Sequence, residues 1–235
     1  MKTWSKLPTF WYAQQPDVIP SFTGGAEAGR SQAGLRVLLA LAAADRPASS
    51  YAVIASLTDL EEWTDLSRSM VLAGIRRAVV AGLITYEPGK QRAKSKFSLI
   101  NPSESAGGWA KLPLEQVREG TCRIPHRGDV ALTALKIYLI LIAARSNDNC
   151  VVSLRHETIR SKTGCQTRHL RAAISLLANA GLIHVINDFD LDEPTSMKAS
   201  QYRVQRYLIK GRLDAPRQWN DVVADDATIP AQGAK

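Results

Sequence analysis

The sequence predicts a mainly helical α+β protein of two tandem domains, each carrying a small β-hairpin. Three observations support this prediction: segments that recur about 100 residues apart, the same order of helical and strand periodicity in both copies, and a polar Gly/Pro/Ser stretch between them. A chain of 235 residues has room for two domains of about 100 residues each.

The repeat consists of three pairs of segments that follow one another in the same order. Residues 4–8 (WSKLP) recur as 109–113 (WAKLP), residues 35–41 recur as 135–141, and the AGLI of 81–84 recurs as 180–183. The separations are 105, 100 and 99 residues, and they shrink only where loops can absorb the difference. Three matches in one order indicate a duplicated unit.

Composition places the domain boundaries. The polar segment 101–108 has turn chemistry throughout and predicts a linker between a first domain (1–100) and a second domain (109–212). Residues 213–235 are small, polar and acidic, which predicts a mobile tail.

The second copy has the clearer element pattern. Apolar residues at 132, 135, 139 and 142 predict a core-facing helix over 129–146, with Asp129 as its N-cap. A strand (150–154), a second helix (156–163) and a third helix (167–179) follow, and Gly164 is expected to end the second helix in a left-handed conformation. Two strands, 182–187 and 201–208, complete the copy.

The first copy follows the same plan. Its predicted helices are 31–44, 54–65 and 67–81, and its hairpin strands are 83–86 and 96–100. Its turn, Thr64-Asp65-Leu66-Ser67, has no glycine where the second copy has Gly164.

This order resembles the winged-helix form of the helix-turn-helix. The resemblance is carried by residues 156–183, with Thr158-Ile159 in the first helix and Thr163-Gly164 at the turn, and it extends over about residues 4–210. It implies two tandem winged-helix domains. With their aromatic-x-Lys-Leu-Pro lead-ins, they are similar to the replication initiators and regulators of plasmids and other mobile elements. In that family one domain commonly dimerises, while both can contact repeated sites.

The charge of the second copy suits such a protein. The net charge of +8 and the pI near 9.6 favour a polyanionic partner, with nucleic acid first and an anionic membrane second. The third helix of a helix-turn-helix lies in the major groove, where Gln pairs with adenine and Arg with guanine. Five cations and one acid lie within 155–171. The predicted DNA contacts are Arg155, Arg160, Lys162, Gln166, Thr167, Arg168, His169 and Arg171, with Lys198 and Arg203 near the wing. An ordinary solvated face is the alternative.

In the first copy the corresponding stretch has the opposite charge. Residues 54–73 hold one Arg and four acids, whereas the wing holds four cations against Glu87. Two roles stay open: a protein contact, or DNA contact through the wing and the start of the third helix. The residues that would make this DNA contact are Ser67, Arg68, Ser69, Lys90, Arg92, Lys94 and Lys96.

Other function classes lack their motifs. The sequence has no HExxH, no GxxxxGK[ST], no GxGxxG after a strand and no nucleophile elbow, and its three cysteines form no CxxC pair. We therefore expect no enzyme, no cofactor and no metal. The start of the chain does not resemble a secretory signal and no apolar run is long enough for a membrane helix, which predicts a cytoplasmic protein with no membrane partner.

An aromatic cluster near the start leaves two interpretations. Trp4, Phe10, Trp11 and Tyr12 either pack on the core of the first domain or form a homodimer contact; the first domain itself is a second candidate for dimerisation. Taken together, the sequence predicts a sequence-specific duplex-DNA-binding protein acting in replication initiation or transcriptional regulation. The alternative of a different class is a winged-helix assembly platform that binds proteins and does not read DNA.

Overall fold

The computed structural model describes residues 3–44, 51–90, 93–101, 108–186 and 200–204. Within these ranges helices predominate and the strands form three small antiparallel sheets, which confirms the predicted mixture of helix and strand. The helices are α1 (Phe10–Ala13), α2 (Ala28–Ala43), α3 (Leu57–Thr64), α4 (Arg68–Val80), α5 (Leu114–Cys122), α6 (Asp129–Ala144), α7 (His156–Thr163) and α8 (Thr167–Asn179). The strands are β1 (Trp4–Pro8), β2 (Ala52–Ala55), β3 (Ile84–Glu87), β4 (Ser95–Leu99), β5 (Trp109–Pro113), β6 (Val151–Leu154), β7 (Ile183–Ile186) and β8 (Ser200–Val204).

The two halves contain three-stranded sheets of the same strand order. β4 lies between β2 and β3, and β8 lies between β6 and β7. Phe97 of β4 faces Val53 of β2, just as Tyr202 of β8 faces Val152 of β6. Both rings are fully buried, so each sheet packs one face into the core.

The second helix of the first half begins later than the sequence predicts. Ile54, the predicted start, lies in β2, where exposed Ile54 alternates with buried Val53. The helix begins instead at Leu57, because Ser56 and Asp59 form a capping box: the Ser56 hydroxyl accepts from the Asp59 amide at 3.0 Å, and the Asp59 carboxylate accepts from the Ser56 amide at 2.9 Å.

The predicted N-cap of α6 is also wrong. Gly128, with φ of 95°, occupies the N-cap position, and Asp129 is the first helical residue. Only glycine adopts this backbone conformation at low cost. The N-cap therefore lies one residue earlier than predicted, at Gly128. The other core helix, α2, starts at Ala28 rather than at position 31.

β1 and β5 pair to form a two-stranded ribbon, which we call the tryptophan ribbon. Its antiparallel register places Lys6 opposite Lys111, the residue that is equivalent to Lys6 in the repeat. The rings of Trp4 and Trp109 stack with centroids 6.0 Å apart. Lys6 Nζ lies 5.0 Å from the Trp109 ring, and Lys111 Nζ lies 5.5 Å from the Trp4 ring. Since each contact has a repeat-related counterpart, the ribbon has local two-fold symmetry about the Lys6–Lys111 pair.

The helices α2 and α6 lie side by side. Each has 16 residues and is buried on nearly every side, as expected of helices that are mostly apolar. At one end of the pair, Gly25 N donates to Asp129 Oδ1 at 2.8 Å. At the other end both helices reach the tryptophan ribbon: Ser5 donates to the Ala42 carbonyl, and Arg145 donates to a carbonyl of β5. The two helices therefore run parallel, from a Gly25–Asp129 end to a ribbon end.

The segments that introduce the halves cross to the opposite half. α5, which precedes α6, packs against α2 and α3, whereas α1 packs against α6. Phe10 and Trp11 of α1 are buried in the core that both halves share, so the aromatic cluster is not confined to the first half. Burial also removes these two side chains from the surface that a dimer contact would need. Tyr12 is half-buried beside them.

Two predicted segments lie largely outside the described residues. Only residues 101 and 108 of the linker are described, and the predicted tail, 213–235, is not. The last predicted strand, 201–208, is described as far as Val204.

Candidate nucleic-acid interface

The predicted turn of the second half, between α7 and α8, is confirmed. The Thr163 hydroxyl donates to the Ile159 carbonyl at 2.7 Å and accepts from the Cys165 amide at 3.3 Å, which closes the end of α7. Gly164 has φ of 64°, the left-handed conformation expected of it. Leu170 and Leu177 of α8 are buried, so the opposite face of the helix is directed outward.

The predicted reading edge lies on that outward face. Gln166 is the N-cap of α8, and it is exposed together with Thr167, Arg168 and Arg171. His169 is half-buried, and its Nε2 accepts a hydrogen bond of 3.1 Å from Arg168 Nε. The structure thus brings these side chains together at the start of one helix.

The cations around this edge differ in their partners. Arg155 and Arg160 are exposed, and within the described ranges no carboxylate forms an ion pair with either of them, or with Arg168 or Arg171. Lys162 is half-buried: its amine donates to the Tyr12 carbonyl at 2.9 Å and lies 4.7 Å from the Tyr12 ring. Lys162 therefore binds the α1 segment of the same chain.

The predicted wing contacts of the second half are only partly described. Arg203 is half-buried on β8, opposite His184 of β7. Burial lowers the pKa of His184, and the charge of Arg203 lowers it further. Lys198 lies outside the described residues.

The first half makes the same turn without a glycine. Asp65 adopts the left-handed conformation with φ of 54°, and it is the only non-glycine residue with positive φ among the described residues. Its carboxylate lies 3.2 Å from Nε2 of His126, which belongs to the lead-in of the second half. Asp tolerates this conformation better than most residues, and the packing of the turn supplies the remaining stabilisation.

The predicted cations of the first half are mostly paired with its own acids. Lys94 lies 3.0 Å from Asp59, Lys96 lies 3.2 Å from Glu87, and Arg68 lies 3.8 Å from Glu61. The pKa of Asp59 is lowered by the backbone hydrogen bond from Ser56 and then by Lys94. Ser67 and Ser69 are exposed with their hydroxyls 3.2 Å apart, Lys90 is exposed, and Arg92 lies outside the described residues.

Two buried cations connect the turns to the opposite halves. Lys136 of α6 donates to the carbonyl of Thr163 at 2.9 Å and to that of Pro20 at 3.4 Å. Arg36 of α2 donates to the carbonyls of Thr64 at 3.5 Å and Pro125 at 3.4 Å, and also to those of Thr121 and Ile124. Burial lowers the pKa of Lys136 to about 8.

The sequence contains a signal for this arrangement. Ile19-Pro20 and Ile124-Pro125 are 105 residues apart, the same separation as between the WSKLP and WAKLP segments. Arg36 and Lys136 are likewise equivalent within the repeat at 35–41 and 135–141. The Ile-Pro pair lies between the first two matched segments and is a further match within the duplicated unit.

A cleft of about 670 Å³ opens at the Gly25–Asp129 end, beside the start of α4. Its lining includes Ser67, Met70, His126 and Arg127. The glycine-rich segment 24–29, which ends inside α2, borders it through Gly25, Ala28 and Gly29. The Gly25 amide donates to Asp129 Oδ1 and is therefore not available to a ligand in the cleft.

The comparisons leave the class of protein open. The chain matches no protein-family model, and no curated protein was found as a relative. Among the described residues, no group of three or more His, Cys, Asp or Glu side chains could hold a metal ion, and no helix has the length and apolar composition that crossing a membrane requires.

Proposed function

We propose that the chain binds duplex DNA sequence-specifically through two winged-helix units, with α8 as the main recognition helix. The observation that carries this proposal is the start of α8, where Arg168 and Arg171 are exposed and have no acidic partner among the described residues. Exposed, uncompensated cations beside polar side chains suit contacts with phosphates and base edges. The order of helices and strands in each half supports the winged-helix assignment.

The direction of the central helices supports simultaneous binding by both halves. Met70 near the start of α4 lies against Gly29, at the Gly25–Asp129 end of the molecule. The equivalence of the two halves in the repeat leads us to expect the start of α8 at the same end. In the proposed complex, both turns then contact a single duplex.

The two units are expected to contribute unequally. In the first half, Asp59, Glu61 and Glu87 compensate the cations that would otherwise contact phosphates. In the second half, the described cations of the helix-turn-helix at positions 155, 160, 168 and 171 form no ion pair with a described carboxylate. We therefore propose that the second half supplies most of the affinity and the first half mainly orients the chain on the duplex. The resemblance to plasmid initiators and regulators makes replication initiation or transcriptional control the proposed role.

Selection from a random duplex pool tests this proposal. The full-length protein should enrich one sequence motif, and Arg168→Ala should weaken binding to that motif by roughly 1–3 kcal/mol while relaxing preference at one or two base pairs. Arg68→Ala is the matched control, since Arg68 holds a similar place at the start of α4 but is paired with Glu61. An assembly platform would enrich no motif, and that result would refute the proposal.

A further inference from the structure

Arg36 and Lys136 are cations at equivalent positions of two mostly apolar core helices. They are only 2 % and 5 % exposed, and the hydrogen bonds of both go to backbone carbonyls. Burying a cation without a carboxylate partner opposes folding, and an apolar side chain would fit such a helix at lower cost. Their presence in both copies therefore calls for a role beyond stabilising the core.

Each cation joins the same two parts of the molecule. One is the last residue of the second helix of its own half, Thr64 or Thr163; the other is the Ile-Pro segment of the opposite half, at Pro125 or Pro20. A positive charge at a helix C-terminus also interacts favourably with the helix dipole. These contacts therefore join the end of α3 and the end of α7, the first helix of each helix-turn-helix, to the opposite half.

The contacts lie close to the recognition helices. α4 and α8 begin four residues after Thr64 and Thr163, at Arg68 and Thr167. Two further contacts act at the same places: His126 lies 3.2 Å from Asp65, and a side chain at Gly164 would meet Pro20 at 3.2 Å. Both turns are thus held against the opposite half, which limits movement of one recognition helix relative to the other.

We infer that Arg36 and Lys136 are positioning residues that set the separation between the starts of α4 and α8, and so make the spacing of two half-sites a determinant of DNA specificity. The second part of this inference rests on the proposed function. The first part does not, because the separation of the two helices is measurable without DNA.

The first experiment measures that separation directly in the full-length chain. Spin labels are attached at Ser69→Cys and Arg168→Cys, two exposed positions near the starts of α4 and α8, after Cys122, Cys150 and Cys165 are changed to serine. Electron–electron resonance should give one narrow distance distribution. Lys136→Met, which removes the donor to two carbonyls but keeps the volume, should broaden or shift the distribution.

Two further variants separate positioning from general stability. Arg145→Met removes another buried cation of the α6 C-terminus, one that contacts the ribbon end rather than a turn, and it should leave the distribution unchanged. Lys136→Arg retains a donor and should restore the narrow distribution. A folded Lys136→Met protein with an unchanged distribution, or an equal change in Arg145→Met, overturns the inference.

The second experiment uses the duplex that wild-type protein selects from a random pool. Inserting one or two base pairs between its two protected segments should weaken wild-type binding at least tenfold, and should weaken Lys136→Met binding by a smaller factor. Equal sensitivity of both proteins, or no sensitivity in the wild type, refutes the role in specificity. If the wild type selects no duplex, the proposed function fails, while the distance measurement still decides whether the two cations position the helices.

Discussion

The salt dependence of DNA binding should report which cations lie on phosphates. Each phosphate contact contributes about 0.9 to the slope of log Kobs against log salt concentration. Arg155, Arg160 and Arg171 are exposed cations of the second helix-turn-helix, and none of them has an ion pair among the described residues; as phosphate contacts they predict a slope of about −2.7 from this half. Raising salt from roughly 50 to 200 mM should then weaken binding roughly 40-fold.

Single substitutions measure how much each cation contributes to this slope. Changing Arg155, Arg160 or Arg171 to Ala should each reduce it by about 1. Lys94→Ala is the control, because Lys94 is already compensated by Asp59 at 3.0 Å, and its loss should change the slope much less.

Fluorescence anisotropy with the selected duplex at five salt concentrations measures these slopes. A wild-type slope shallower than about −1 would refute the electrostatic account of the second half. An effect of Lys94→Ala as large as that of Arg171→Ala would show that the ion pairs of the first half open on DNA, and it would contradict the proposed inequality of the halves.

Three further predictions concern folding. Between pH 8 and 10.5 the Lys136 amine is neutral in the folded chain and still charged in the unfolded one, so the unfolded state binds more protons and the free energy of unfolding rises with pH. Urea unfolding at pH 7.5 and 9.5 should show this rise, on the order of 2 kcal/mol, in wild type but not in Lys136→Met. Gly164→Ala should lower the free energy of unfolding by about 1 kcal/mol, because alanine at φ of 64° is strained and its methyl group meets Pro20; unchanged stability would mean that the turn differs from the one described. Gly74→Ala places a methyl group 2.7 Å from the Ala33 backbone and should cost roughly 1–3 kcal/mol in thermal unfolding, whereas a neutral effect would contradict the close packing of α2 and α4.

Local sequence signals explain why the bounds of some helices were predicted and those of others were not. α7 and α8 have the bounds that their periodicity predicts, because Gly164 and the buried faces of both helices are local signals. The start of α3 was misplaced because the apolar run around Ile54 also fits a helix, and only the Ser56–Asp59 capping box favours the later start.

The turn of the first half illustrates a different limit. Without a glycine, the segment Thr64-Asp65-Leu66-Ser67 leaves its conformation open. In the structure Asp65 takes the left-handed conformation that Gly164 takes in the second half. The duplication implies this equivalence, but only the packing against His126 and Arg36 shows how a non-glycine residue is held there.

Sequence alone determined the duplicated unit, the order of helices and strands from α6 to β8, and the opposite charges of residues 54–73 and 155–171, because these follow from residue types and spacings along the chain. The tertiary structure decided which partners those residues meet: the crossing of α1 and α5, the parallel packing of α2 and α6, and the pairing of first-half cations with nearby acids. Periodicity reports that one face of a helix is buried, but it carries no information about which element covers that face. For the same reason, Arg36 and Lys136 stand in the sequence only as two charges within apolar runs, and their contacts with both turns depend on how the halves pack together.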